Sequence, residues 1–137
     1  MGSRVVNQPG TLQRVLHHPT LPMADKSVFE KIRDREIPAV LVHEDELCLA
    51  FRDIAAQAPV HILIVPRKPV PRIGLAEPCD QALLGHLLLA AAEIARREGL
   101  ADSGYRLVIN NGPDGGEAVA HLHLHLLGGR QLGWPPG

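Results

Sequence analysis

The segment His121-Leu-His-Leu-His-Leu126 alternates polar and apolar side chains at every step. Successive side chains of a β-strand point to opposite faces, whereas residues on one face of a helix recur every three or four positions. The pattern therefore predicts a strand whose leucines, Leu122, Leu124 and Leu126, pack into a core. The three imidazoles share the other face, which we expect to be exposed to solvent.

The elements around this strand predict an α+β domain with a mostly antiparallel sheet of five strands and two helices. The expected strands are Ala39–His43, Leu47–Phe51, Val60–Val65, Tyr105–Asn110 and Val119–Leu127. A short helix starts at a capping box on Ser27 and ends before Pro38, and a long amphipathic helix runs from an N-cap at Asp80 to Gly99. The simplest arrangement places both helices on one face of the sheet.

Composition narrows the possible functions. A chain of 137 residues forms one domain, and its net charge of −1 gives no basic field for nucleic acid. The aromatic fraction of 3% argues against a stacking platform for single strands, and no apolar run approaches the roughly 18 residues of a membrane span. Cys48 and Cys79 have no paired spacing, so we expect both to be reduced thiols.

Residues 1–24 have few apolar side chains, and we expect them to be an extension or disordered segment before a domain at 25–137. The segment is short and weakly basic. This favours a cytoplasmic location, with an organelle matrix as the alternative.

Three interpretations of the histidine row remain. A solvated strand face accounts poorly for strict alternation backed by leucine. A zinc site is limited by geometry, because Cα atoms about 13 Å apart along a strand prevent His121 and His125 from binding one ion, so ligands such as His61 or Glu117 would be needed. Nucleophilic catalysis at phosphorus suits neutral imidazoles, and the glycine-rich turn Gly112–Gly116 offers backbone N–H groups to an anion.

The chain resembles the histidine-triad (HIT) nucleotide-binding proteins from about Ser27 to Gly137, through Phe51-Arg-Asp-Ile54, Gln57-Ala-Pro-Val-His61, Tyr105-Arg-Leu-Val-Ile-Asn110 and the histidine row. The ending Trp134-Pro-Pro-Gly137 is similar to the Hint branch of that family. The resemblance implies a homodimer with a ten-stranded sheet, and purine nucleoside phosphoramidase activity toward adenosine or guanosine 5′-phosphoramidates or aminoacyl-adenylates. It implies no metal or other cofactor.

The resemblance also implies roles for individual residues. His123 is the nucleophile that becomes nucleotidylated, His121 and His125 are its triad neighbours, and His61 supports them. Asp53, beside Ile54, accepts hydrogen bonds from the ribose, and Trp134 lies near the leaving-group site of a partner subunit. The apolar purine slot comprises Val28, Phe29, Ile32, Ile37 and Phe51, and the groups at the phosphate are Asn110 and the backbone of Gly116.

Two adjacent positions depart from the Hint pattern. Glu117 and Ala118 replace a glutamine and a serine, so a hydroxyl donor is lost and a carboxylate lies beside the phosphate unless it is protonated or turned away. We expect activity to persist with slower turnover or an altered leaving-group preference. The alternatives are a nucleotide-binding regulatory module and a zinc-binding protein. His17, His18 and His43 have no motif context and are expected to be exposed, and His86 is expected to serve packing or a dimer interface.

Overall fold

The computed structural model describes residues 26–137. They contain one antiparallel sheet of five strands, as the sequence predicted. The strands are β1 (Leu41–Glu44), β2 (Cys48–Arg52), β3 (Val60–Pro66), β4 (Tyr105–Val108) and β5 (Leu124–Gly128). Their order in the sheet is β1-β2-β3-β5-β4. The last strand of the chain is therefore inserted between β3 and β4, and the middle of the sheet carries the histidines of β3 and β5. The predicted extension lies outside the described residues.

Three α-helices accompany the sheet within residues 26–137, α1 (Val28–Arg33), α2 (Gln81–Arg97) and α3 (Gly112–Gly115). The capping box at Ser27 is confirmed, since the Ser27 hydroxyl accepts the Glu30 N–H at 3.0 Å and the Glu30 carboxylate accepts the Ser27 N–H at 2.8 Å. Asp80 precedes α2 but makes no capping bond to it. Its carboxylate instead accepts the Glu77 N–H at 2.9 Å and the Lys68 ammonium at 2.6 Å.

The expectation that both helices share one face of the sheet is wrong. Apolar residues of α2 pack on one face with Ile62, Ile64, Leu124 and Leu126. On the other face, α1 supplies Phe29 and Ile32 to a smaller core; its strand residues are Leu49, Phe51, Leu63 and Val65. Strand alternation is the reason, because β2 and β3 carry apolar side chains on both faces and each face needs a cover.

The final strand begins later than Val119, the predicted start. The Leu122 N–H donates to the Val70 carbonyl at 2.7 Å, so the chain before Leu124 is bonded to the segment after β3 instead of entering the sheet. The leucine prediction is nevertheless confirmed, since Leu122, Leu124 and Leu126 are all buried. The fourth strand likewise ends at Val108 and not at Asn110, and part of the predicted turn 111–116 forms α3.

The strand β5 ends where two glycines allow close packing. A Cβ on Gly128 would lie 2.7 Å from the Leu100 side chain, and Gly129 adopts a φ of +92° beside Pro59. Side chains at these positions would clash or be strained. Among the described residues, no helix has both the length and the apolar character needed to cross a membrane.

Candidate active site

Four imidazoles lie together under α1. His61, His121 and His123 are buried, with 6%, 1% and 6% of their surface exposed, and His125 is half-buried. The expectation that the histidine face is exposed is therefore wrong. Phe29 covers part of this face. This α1 residue packs its ring against His123, with centroids 4.8 Å apart and an interplanar angle of 74°.

The ring of His123 is oriented by the backbone two residues before it. Its Nδ1 lies 2.7 Å from the His121 carbonyl oxygen, so Nδ1 carries a proton and donates it. The neutral ring then has its lone pair on Nε2, which is the condition for a nucleophile. His121 is held in turn by its Nε2–H, which donates to the Pro66 carbonyl at 2.9 Å.

A second pair of imidazoles forms a chain of hydrogen bonds with one direction. The Gln57 backbone N–H donates to His61 Nδ1 at 3.0 Å, which places the proton of His61 on Nε2. His61 Nε2 lies 2.9 Å from His125 Nδ1 and 3.4 Å from Asp53 Oδ2. His125 Nδ1 therefore accepts, and its Nε2 carries a proton. That Nε2 is buried and has no partner among residues 26–137, so it is a donor available to a ligand.

Burial keeps these rings neutral. Together with smaller effects of adjacent His123 and His61, and against an opposing effect of Asp53, it lowers the pKa of His125 from 6.5 to about 4. Burial also lowers the pKa values of His61 and His121, against smaller opposing effects that include Asp53 for His61 and the Pro66 carbonyl for His121. At neutral pH His125 is thus an uncharged N–H donor, as the hydrogen-bond directions require.

Glu117, which departs from the Hint pattern, is ionised and paired. Its two carboxylate oxygens accept from Arg72 Nε and Nη2, each at 2.8 Å, and Oε1 also accepts the Gly112 N–H at 2.9 Å. The Arg72 guanidinium, followed by the Gly112 N–H, lowers the pKa of Glu117 to about 2. The negative charge that we expected to repel a phosphate is therefore balanced by Arg72.

The apolar residues predicted for a purine slot are only partly brought together. Phe29 and Phe51 are buried in the smaller core, with ring centroids 5.6 Å apart. Ile32 and Ile37 line a neighbouring surface cavity of about 340 Å³ together with Pro38, Ala39 and Leu41. Val28 is 41% exposed beside them. Phe29 thus lies against His123 with Phe51 packed next to it, and Ile32 and Ile37 line an open depression.

The polar residues predicted for the ligand lie at the ends of strands. Asp53 follows β2, accepts the Ala55 N–H at 2.8 Å and lies 3.4 Å from His61, whereas the adjacent Ile54 is fully exposed. Half-buried Asn110 precedes α3, and Gly116 ends that helix with a φ of +81°. The remaining predicted residues, Ala118 and Trp134, are exposed. The Arg106 guanidinium carbon lies 5.9 Å from the centroid of the Trp134 ring.

Sequence reasoning missed several residues that set the geometry of the site. Gln57 acts through its backbone N–H, and Arg72 is distant in sequence from Glu117, so neither has a motif signal. Ser27 Oγ lies 3.4 Å from His121 Nδ1, although the sequence suggested only a helix cap. His43 was expected to be exposed, and this is wrong, because it is half-buried and hydrogen-bonded to Asp45 at 2.7 Å.

Residues 34–132 match the family model of the HIT domain. This chain belongs to the HIT family. It is 58% identical over 115 residues to an uncharacterized HIT-like protein of Synechocystis, covering 84% of this chain and all of the relative. It is also 53% identical over 113 residues to a 14 kDa zinc-binding protein of Zea mays, covering 81% of this chain and 88% of the relative.

Solved structures agree with this membership. A HIT family hydrolase from Legionella pneumophila superposes with a TM-score of 0.80 at 51% identity, covering 82% of this chain and 100% of the other. A histidine triad nucleotide-binding protein from Candida albicans gives a TM-score of 0.70 at 26% identity, covering 80% and 83%. The four-histidine cluster of this chain therefore lies in a HIT fold whose solved relatives include a hydrolase.

The low pKa of His125 predicts an acid-dependent loss of stability. Unfolding restores its pKa from about 4 to 6.5, so the unfolded chain binds more protons between these values. The free energy of unfolding should therefore fall as the pH falls from 6.5 toward 4, with uptake of about one proton near pH 5 from this group. Urea unfolding of the wild type and His125→Gln at several pH values measures this dependence. An equal dependence in both proteins would contradict the account.

Proposed function

We propose that this HIT protein is a purine nucleoside phosphoramidase of the Hint type. The observation that carries the proposal is the hydrogen-bond geometry of two neighbouring rings, which leaves a lone pair on His123 Nε2 and, among residues 26–137, an unpaired N–H on His125 Nε2. A nucleophile and a neutral donor side by side suit attack on a phosphate ester or amide. The centroids of the two rings are 5.0 Å apart.

In the proposed reaction, His123 Nε2 attacks the α-phosphorus of a nucleoside 5′-phosphoramidate. A bond forms between Nε2 and phosphorus, the P–N bond breaks, and the amine leaves with the electron pair of that bond and takes up a proton from solvent, which the attacking water later returns. The positive charge that develops on the His123 ring is stabilised by its Nδ1–H bond to the His121 carbonyl. Water then attacks phosphorus, releases the nucleoside monophosphate and regenerates the free imidazole.

The other residues of the proposed site bind and orient the nucleotide. His125 Nε2–H donates to a phosphate oxygen, and Asp53 accepts from the ribose hydroxyls beside Ile54. The purine lies against the apolar residues of α1 and β2, and Asn110 and the Gly116 backbone approach the phosphate. The paired charges of Arg72 and Glu117 support this assignment, because they leave little net charge to repel the ligand.

The proposal predicts that His123→Ala abolishes turnover and leaves nucleotide binding largely intact. AMP release from adenosine 5′-phosphoramidate, measured with a chelator present, should fall at least about a thousandfold, since a covalent nucleophile is removed. Intact-mass analysis of acid-quenched wild type should detect a nucleotidylated chain that the variant lacks.

Three results separate the alternatives. Equal rates for wild type and His123→Ala would refute the nucleophile. Micromolar AMP binding without turnover by the wild type would favour a regulatory module. Turnover that disappears with the chelator and returns with zinc would favour a metal-dependent site.

A zinc ion on Asp53, His61 and His125 is a less favourable alternative, because the hydrogen bonds of His61 oppose it. Asp53, His61 and His125 place their ligand atoms within 4.8 Å of one another. A metal on His61 Nε2 would move the ring proton to Nδ1, where it would face the Gln57 backbone N–H at 3.0 Å. Two donors would then oppose each other on a fixed backbone. The zinc-binding name of the maize relative therefore does not lead us to place zinc at the triad.

We also propose that the protein is a homodimer in which β4, an edge strand of the sheet formed by residues 26–137, pairs with its copy and joins two sheets into one of ten strands. An apolar surface cavity of about 220 Å³ beside this edge includes Ile109, Leu88 and Leu84. Exposed Trp134 would then be available to the partner's leaving-group side.

We further propose that the domain comprises residues 25–137, that an extension precedes it, and that the protein is cytoplasmic.

The dimer proposal predicts that Leu88→Glu produces a monomer, because a charge would be buried in the apolar contact. Light scattering coupled to size exclusion measures the mass. Leu47→Glu is the matched control, since Leu47 and Leu88 are 43% and 48% exposed, and it should leave the dimer intact. A wild-type monomer, or a dimer that survives Leu88→Glu, would refute the arrangement.

A further inference from the structure

A second cluster of ligand-type side chains lies apart from the triad, where the β1–β2 turn meets α2. Asp45 in this turn has its Oδ2 2.7 Å from His43 Nε2 and 2.8 Å from His86 Nε2. Cys48, the first residue of β2, has its Sγ 3.5 Å from the same oxygen. Two strands, a turn and a helix therefore bring three further potential ligand atoms within 3.5 Å of Asp45 Oδ2.

We propose that His43 Nε2, His86 Nε2, Asp45 Oδ2 and Cys48 Sγ bind one divalent transition-metal ion of the zinc type. Two imidazole nitrogens, one carboxylate oxygen and one thiolate suit ions of borderline softness. Magnesium and calcium prefer oxygen ligands throughout, so this set selects against them. The site uses none of the residues assigned to phosphoramidate hydrolysis.

Three of the four ligand atoms lie near one another, and His86 is within 2.8 Å of one of them, Asp45 Oδ2. The ligand atoms of His43, Asp45 and Cys48 all lie within 4.8 Å of one another. Zinc bonds of about 2.0–2.3 Å place neighbouring ligand atoms about 3.3–3.7 Å apart. The Asp45 Oδ2 to Cys48 Sγ distance of 3.5 Å falls in this range. His43 needs to retreat from Asp45 by about half an ångström, and His86, which lies outside this group, has to turn toward the other ligands as well.

Asp45 is held in place by its other oxygen. Oδ1 accepts the backbone N–H groups of Leu47 and Cys48 at 2.8 and 2.9 Å. These bonds fix the carboxylate and leave Oδ2 directed toward the two imidazoles. Hydrogen bonds of this type from the surroundings orient metal ligands and raise affinity.

Arg97 is the group that opposes the ion. Its Nη2 donates to His43 Nδ1 at 2.9 Å, so His43 carries its proton on Nε2. A metal on Nε2 moves this proton to Nδ1, and Arg97 has to turn away. Unlike the Gln57 backbone at the triad, Arg97 is a side chain that is 47% exposed, with Glu93 3.8 Å away as an alternative partner. Arg67, which donates to the Asp45 carbonyl at 2.8 Å, is the other nearby cation.

Metal binding releases one proton to solvent. The Cys48 thiol loses its proton to solvent as sulfur bonds to the metal, while each imidazole keeps one proton and presents its lone pair at Nε2. The ion would link the hairpin turn directly to α2. Because it binds the folded arrangement of three elements, it should raise the stability of the folded chain.

Cobalt(II) is the probe, because a thiolate ligand gives it a sulfur-to-metal charge-transfer band. The full sequence has two cysteines, so Cys48→Ser and Cys79→Ser form a matched pair. We expect the wild type and Cys79→Ser, whose thiol is exposed, to show the band at one equivalent of cobalt, and zinc to displace it. Cys48→Ser should lack the band.

Two further variants keep the test decisive if Cys48→Ser unfolds. His86→Gln should weaken cobalt affinity at least about tenfold, and Arg97→Gln should strengthen it. His123→Ala should bind cobalt as the wild type does, so the result is independent of phosphoramidase activity. A wild type with no charge-transfer band, or a band unchanged in folded His86→Gln, would overturn the proposal.

Discussion

The hydrogen bond from the Gln57 backbone to His61 Nδ1 constrains the rest of the site. A backbone N–H can only donate, so His61 must accept at Nδ1 and carry its proton on Nε2. The same reasoning applies to His125. Its Nδ1 accepts from His61 Nε2 at 2.9 Å, and its Nε2–H, which has no partner among residues 26–137, is left for a ligand. Because the rings are buried, a wrong tautomer would leave two donors facing each other without water. The fold thus determines the protonation of rings that would be ambiguous in solution.

His123 receives the opposite tautomer from an acceptor. The His121 carbonyl takes the proton of Nδ1 and leaves Nε2 bare. One fixed donor and one fixed acceptor on the backbone therefore give neighbouring rings complementary roles. In the proposed reaction, this difference makes His123 the nucleophile and His125 the hydrogen-bond donor. The Arg72–Glu117 pair has a related effect, since the guanidinium balances the negative charge of the Glu117 carboxylate.

The sequence predicted the number and pairing type of the strands, because alternation and helix caps are local signals. The leucines of the last strand and the capping box at Ser27 are confirmed on that basis. The burial of the histidines could not be predicted, since it depends on α1 crossing to the other face of the sheet. The Arg72–Glu117 pair and the contacts of His43 with Asp45 and Arg97 also escaped prediction, because they join residues that no spacing rule connects.

The tautomers of the four clustered histidines test the account most directly. Long-range correlation of ring protons with ring nitrogens by NMR, on 15N-labelled protein near pH 7, identifies the protonated nitrogen of each imidazole. The account predicts that His123 alone of the four carries its proton on Nδ1, while His61, His121 and His125 carry theirs on Nε2. A proton on Nε2 of His123, or on Nδ1 of His125, would contradict it.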